Sequence, residues 1–95
     1  MHERRSTSFG WLEVWAEEAG GVPVVERLHF ERNGRSHVHD RWEHVRVLDG
    51  EGVIVVGAER IAVVAGDAVS IPPGVAHWME TGFGLDIVLL YGEKN

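Results

Sequence analysis

Glycine and proline cut this chain into short apolar runs, and that punctuation limits the fold more than any other feature. Twelve glycines and three prolines fall among 95 residues, mostly in the clusters that turns require. Between the clusters the apolar residues alternate or run continuously, and none carries a helical period. Runs at residues 10–16, 24–31, 42–48, 53–56, 61–64, 69–71, 77–80 and 85–91 therefore read as strands. Strands recurring about every eight to twelve residues, with no helix between them, predict an all-β barrel or sandwich.

Particular stretches sharpen this. Residues 1–10 show no periodic pattern and are expected to form a flexible tail, leaving 11–95 as one domain. Trp11, Glu13 and Trp15 alternate with Leu12, Val14 and Ala16, which predicts a first strand with cover on both faces. In so short a chain that suggests a second subunit. Leu28 and Phe30 share one face of the next strand, and Arg27 and His29 the other. A tight turn is expected at Asp49-Gly50-Glu51-Gly52. Residues 53–56 and 61–64 are apolar throughout, so both of those strands are expected to be covered on both faces.

Composition excludes several functions. The formal net charge of -6 opposes a nucleic-acid partner. No apolar run is long enough to span a membrane, and the cytoplasm is the expected compartment. With no cysteine, disulfides and thiolate metal sites are ruled out, so any metal must be held by nitrogen and oxygen.

That points to the histidines. His37 and His39 sit at i and i+2, on one side of an extended segment. Glu43 keeps that parity if the chain stays extended, and Val45 and Val47 continue it as an apolar row. His77 comes from a separate strand that must return across the first. Converging, these four would hold one divalent transition metal, with Fe, Mn, Ni, Zn and Cu all compatible with such ligands. Left without a metal, four ionisable groups inside a small barrel would each need partners. His2, His29 and His44 read as ordinary side chains.

The same residues resemble the cupin family. Its first motif is His-x-His, three or four residues, Glu, six residues, Gly; here His37, His39, Glu43 and Gly50 have that spacing. The second is Gly, five residues, Pro-x-Gly, two residues, His, three residues, Asn, matched by Gly66, Pro72, Gly74 and His77. Two positions depart: Glu31 stands where the family has its opening glycine, and Thr81 stands at the final asparagine. The resemblance implies a double-stranded β-helix, a jelly-roll barrel with the metal inside one open end. It also implies a homodimer, for which the Trp11/Trp15 strand and the run at 85–90 are the expected contacts.

The inward positions Phe30, Val45, Val47, Ile71 and Tyr91 would then form a mostly apolar substrate wall. No general base stands out. Tyr91 is the single tyrosine, and Glu26 is a candidate if the face of Leu28 is assigned the other way. The expected function is a metal-dependent enzyme acting on a small organic molecule, with dioxygenase-type chemistry ahead of lyase, cyclase or isomerase chemistry. The alternative is a binding module that holds metal or ligand without turnover.

Overall fold

In the computed structural model, residues 3–93 are described. They form eight strands: β1 (Arg4–Ser6), β2 (Gly10–Glu17), β3 (Pro23–Phe30), β4 (Trp42–Val56), β5 (Glu59–Val64), β6 (Ala68–Ile71), β7 (His77–Glu80) and β8 (Leu85–Gly92). Every pairing is antiparallel, in the order β1-β2-β3-β8-β4-β5, with β6 and β7 also joined to β4. This is an all-β jelly-roll barrel, of the all-β class that the punctuation predicts and of the form that the cupin resemblance implies. Among the described residues there is no helix long and apolar enough to cross a membrane.

β4 is the strand that positions everything else. Its first half lies between β8 and β6, and its second half between β5 and β7. Here the expected turn at 49–52 is replaced by continuous strand carrying a bulge. The register against β8 shifts between Val47 and Asp49, and the chain bends there from one sheet into the other. Gly50 permits the bend: its φ is 84°, and a β-carbon would overlap the Gly84 carbonyl oxygen. A turn would have split β4 in two. The bulge keeps one strand running through both sheets.

Alternation along the strands fills the barrel. Glu43, Val45 and Val47 of β4 point inward with Leu85, Ile87, Leu89 and Tyr91 of β8. Leu28, Phe30, Ile71 and Met79 join them in the core. The expectation of two-sided cover holds for β4, where Ile54 and Val55 are both buried, and fails for β5. There Val63 is buried but Val64 is 54% exposed, because β5 is an edge strand with core on one side only.

The stretch expected to be a tail is also structured in part. Arg4, Arg5 and Ser6 pair with Glu13, Leu12 and Trp11, and the Arg4 guanidinium lies 3.6 Å from the centre of a Trp11 ring. Phe9 stacks on Phe30 at 4.2 Å between ring centres. A polar segment can add to a sheet through its backbone alone, which is why hydrophobic period does not reveal it. Met1 and His2 lie outside the described residues.

Candidate metal centre

The two histidine motifs are zipped together by their backbones. His37 and His77 form an antiparallel bridge, each amide donating to the other's carbonyl at 3.1 and 3.0 Å. The Gly74 amide donates to the His39 carbonyl at 2.9 Å. Gly74 has a φ of 77°, which suits glycine in the turn that aims β7 back at the first motif. The departures from the family pattern leave this frame whole. Thr81 donates its hydroxyl to the Glu51 carbonyl at 2.8 Å and accepts from the Gly84 amide at 3.0 Å, closing the turn where the family has asparagine.

One ligand atom from each of His37, His39, Glu43 and His77 falls within 4.8 Å of the others. Glu43 and His77 are each only 1% exposed. Yet His39 Nε2, His77 Nε2 and both Glu43 oxygens are buried without a hydrogen-bond partner. The contacts from Glu43 Oε1 to His39 Nε2 and His77 Nε2 are 3.3 and 3.4 Å, too long to satisfy those atoms. A buried carboxylate left in this condition costs several kcal/mol. A cation among the four groups removes the deficit, so the donor set fits a metal.

The ring tautomers fit as well. His37 Nδ1 is 2.9 Å from the Arg35 carbonyl, and His77 Nδ1 is 2.9 Å from the Val75 carbonyl. Only an N–H can meet a carbonyl oxygen, so each Nε2 keeps a free lone pair for a metal. Burial holds His39 below its ordinary pKa, helped by neighbouring His37 and His77 and opposed by Glu43. His77 moves the other way. Burial works against its protonation, but the Glu43 carboxylate and the Val75 carbonyl outweigh it.

A cavity of about 330 Å³ opens beside these groups. His37, His39 and Glu43 line one part of it, and Phe9, Leu12, Leu28, Phe30, Met79 and Leu89 supply most of the rest. Of the five expected wall residues, Phe30 and Tyr91 line it. Val45, Val47 and Ile71 do not: they pack deeper, fully buried in the core. A larger and more open depression, near Glu51, Val64 and Phe83, carries no histidine.

Glu26 also lines the cavity, and Tyr91 donates its hydroxyl to Glu26 Oε1 at 2.7 Å. An inward Glu26 does not need the reversed Leu28 face that the sequence expectation required. Glu26, Leu28 and Phe30 share one parity and one face, which is the core face. Burial, followed by the charges of Glu43 and Glu26, pushes the Tyr91 hydroxyl well above its ordinary range, so it stays a donor. Phe9 lay in the stretch 1–10, which had no pattern to follow, and the alternation at 11–16 placed Leu12 on a strand face without tying that face to the cavity. The period shared with Leu28 was the available signal for Glu26.

His29 and His44 lie outside the four-residue cluster and have partners elsewhere. His29 Nδ1 meets Asp86 at 2.8 Å and stacks on Trp11. His44 meets Ser70 Oγ at 2.8 Å and the Glu93 carbonyl at 2.7 Å.

The family model for the cupin domain matches residues 25–90. The chain belongs to the cupins. No curated protein matches it, but solved cupin structures do. A cupin-2 domain protein of Rhodospirillum rubrum is 20% identical with a TM-score of 0.77, over 97% of this cupin and 63% of that chain. This chain thus spans less than two thirds of that protein. Pac13 of Streptomyces, a nucleoside dehydratase, is 22% identical over 96% of this chain and 75% of its own, with a TM-score of 0.77. RemF of Streptomyces resistomycificus, a polyketide cyclase, is 16% identical over 95% and 72%, also at 0.77. At such identities the likeness carries the fold.

Proposed function

We propose that this cupin is a metal-dependent enzyme acting on a small organic molecule held in the apolar cavity. The observation that carries the reading is the cluster of unpartnered buried donors on Glu43, His39 and His77, set beside that cavity. A divalent ion held by His37, His39, Glu43 and His77 would supply Lewis-acid polarisation and charge stabilisation at a substrate oxygen. The chain's own residues do the rest. The backbone carbonyls of Arg35 and Val75 fix two imidazoles in the ligating tautomer. Apolar side chains exclude water and shape the substrate's body.

Among the branches open to such a site, non-oxidative lyase, cyclase or isomerase chemistry is favoured, because the Glu26–Tyr91 pair puts a proton acceptor on the cavity wall. The similarity to a nucleoside dehydratase and a polyketide cyclase supports this branch, since dehydration and cyclisation need no dioxygen. Dioxygenase-type chemistry is the second reading, and the apolar wall favours it by shielding reactive oxygen species from water. We carry the homodimer into the proposal too: Trp15 and Leu90, from the two segments expected to meet a second copy, are 39% and 48% exposed. A concentration-independent monomer in sedimentation at micromolar levels removes the dimer.

Metal analysis of the purified protein, followed by turnover assays with each metal in air and under nitrogen, tests the main reading. One divalent ion per chain and oxygen-independent turnover are expected. Turnover that stops under nitrogen moves the assignment to a dioxygenase. Full metal occupancy in a His37→Ala/His77→Ala double variant overturns the site. Tight ligand binding with no turnover under any metal leaves a binding module.

A further inference from the structure

Glu26 holds a position that the metal-ligating cluster does not account for. It is a carboxylate on the core-facing side of β3, in a cavity whose wall is otherwise mostly apolar. A carboxylate half-buried beside apolar side chains gains from a hydrogen-bond partner. The partner here is Tyr91, whose hydroxyl donates to Oε1 at 2.7 Å, and no second partner holds the other oxygen among the described residues. Tyr91 in turn touches the cluster: its ring lies 5.1 Å from that of His39, edge to face. The Arg41 guanidinium sits 4.5 Å from the Tyr91 ring centre and donates to the Pro23 carbonyl at 2.9 Å. The tyrosine is thus held from two sides, with the metal-ligating cluster at one edge and Glu26 at its hydroxyl.

We infer that Glu26 is the general base of this enzyme and that the substrate is a carbon acid: a small carbonyl compound with a C–H bond next to the carbonyl. This rests on the metal-dependent reading above and names the substrate class for it. With the carbonyl oxygen at the histidine end, the adjacent C–H is presented to the Glu26 carboxylate. The C–H bond breaks, its electron pair moves into the carbon–oxygen π system to give an enolate, and the proton passes to Glu26. Negative charge collects on oxygen, at the end of the cavity built for a cation. Return of a proton from Glu26 to the same carbon re-forms the carbonyl compound, with a solvent-derived hydrogen now on that carbon. Delivery of the proton to a departing hydroxyl on the neighbouring carbon completes a dehydration. Tyr91 is a positioning residue: its hydroxyl holds one carboxylate oxygen and leaves the other to meet the substrate.

The test is proton–deuterium exchange at carbon, followed by NMR in deuterated buffer, with acetoin and α-ketobutyrate as probes and zinc-loaded protein. Zinc content is measured in every sample, and zinc in buffer is the blank. Wild type is expected to accelerate exchange of at least one probe above the blank. Glu26→Gln keeps an oxygen that accepts the Tyr91 hydroxyl, so the fold and the zinc content are retained while exchange falls by about a hundredfold. Tyr91→Phe is expected to lower the saturating exchange rate several-fold at an unchanged half-saturating probe concentration. A role confined to packing would not produce that split.

The proposal is overturned if Glu26→Gln at full zinc content exchanges as fast as wild type, or if zinc-loaded wild type accelerates neither probe. In both cases retained zinc leaves the metal-dependent reading standing. Loss of zinc from the wild type would bring down that reading instead.

Discussion

Two histidine settings coexist in this barrel. Away from the cluster, His29 and His44 have partners of their own: Asp86 and Trp11 hold the first, Ser70 and the Glu93 carbonyl the second. Inside the open end, His77 and His39 point unpartnered Nε2 atoms at a carboxylate that is itself unpartnered. His44 and Glu43 are sequence neighbours on opposite faces of one strand, so the strand's pleat alone separates the two settings. Residue type therefore does not identify a ligand. What identifies it is a buried lone pair that the protein has left free.

The sharpest way to break this contrast is to delete one histidine from each setting. His77→Ala should abolish stoichiometric metal binding, and His44→Ala should leave it unchanged, as read by metal analysis after gel filtration. The difference extends to stability. A ligand at a hundred times its dissociation constant stabilises the folded state by about 2.7 kcal/mol. In a domain of this size that raises the melting temperature by about 10–20 °C. Added zinc should produce that rise in wild type and His44→Ala and not in His77→Ala. Equal rises in all three would mean that zinc binds elsewhere.

The pH dependence should separate the metal-loaded from the metal-free protein. His77 is raised, so without metal its contribution to stability is complete below the unfolded-state value near 6.5 and is lost as pH climbs through its folded value. His39 is lowered, so its contribution is present above that value and is lost as pH falls through its folded one. The two windows meet near 6.5 without overlapping, so the metal-free protein should be most stable near that pH and lose stability on either side of it. Metal requires neutral rings, so affinity should fall steeply as pH drops through about 6.5. Competition with a chelator across this range measures it. Affinity that is constant down to acid pH would exclude imidazole ligation.

Glu43 sharpens the same contrast in the opposite sense. It is 1% exposed with both oxygens unpartnered, so in the metal-free protein it is a liability. Glu43→Leu should stabilise the metal-free fold by about 1–3 kcal/mol while removing most metal affinity. Urea unfolding in the presence of chelator gives the first quantity, and metal titration the second. Destabilisation in chelator would show that Glu43 is satisfied by something other than a metal.

How much of this could be read from sequence differs by residue, for physical reasons. The strand period placed Glu43, Val45 and Val47 on one inward face, whereas His37 and His39 precede β4 on a segment that bends at Asp40-Arg41 and still converge on Glu43. The return of His77 followed from motif spacing. Depth did not: parity says that Val45, Val47 and Ile71 face inward but not how far below the cavity they lie. The bulge in β4 was hidden because Gly50 and Gly52 resemble a turn as much as a bend. Which of the two forms depends on the carbonyls of Gly84 and Glu80, which come from a distant part of the chain. Glu26 was misjudged for a different reason. Its charge argues against an inward face, although its spacing from Leu28 and Phe30 puts it on the side that lines the cavity.

The smallest expected effect concerns His29, and it bounds what an employed histidine is worth. Its Nδ1 meets Asp86 at 2.8 Å, and Arg27 meets the same carboxylate oxygen at 3.1 Å. Deleting the imidazole therefore does not strand Asp86, because the guanidinium remains. His29→Ala should cost about 1 kcal/mol, the ordinary value of one hydrogen bond, together with some lost packing against Trp11. The urea midpoint should move down slightly with an unchanged slope, and metal content should stay at the wild-type level. Asp86→Ala should cost more, since it leaves Arg27 and His29 without their shared acceptor at once. If His29→Ala cost as much as Asp86→Ala, the guanidinium would not be compensating. His29 would then be as tightly coupled to its surroundings as the clustered histidines are to a metal.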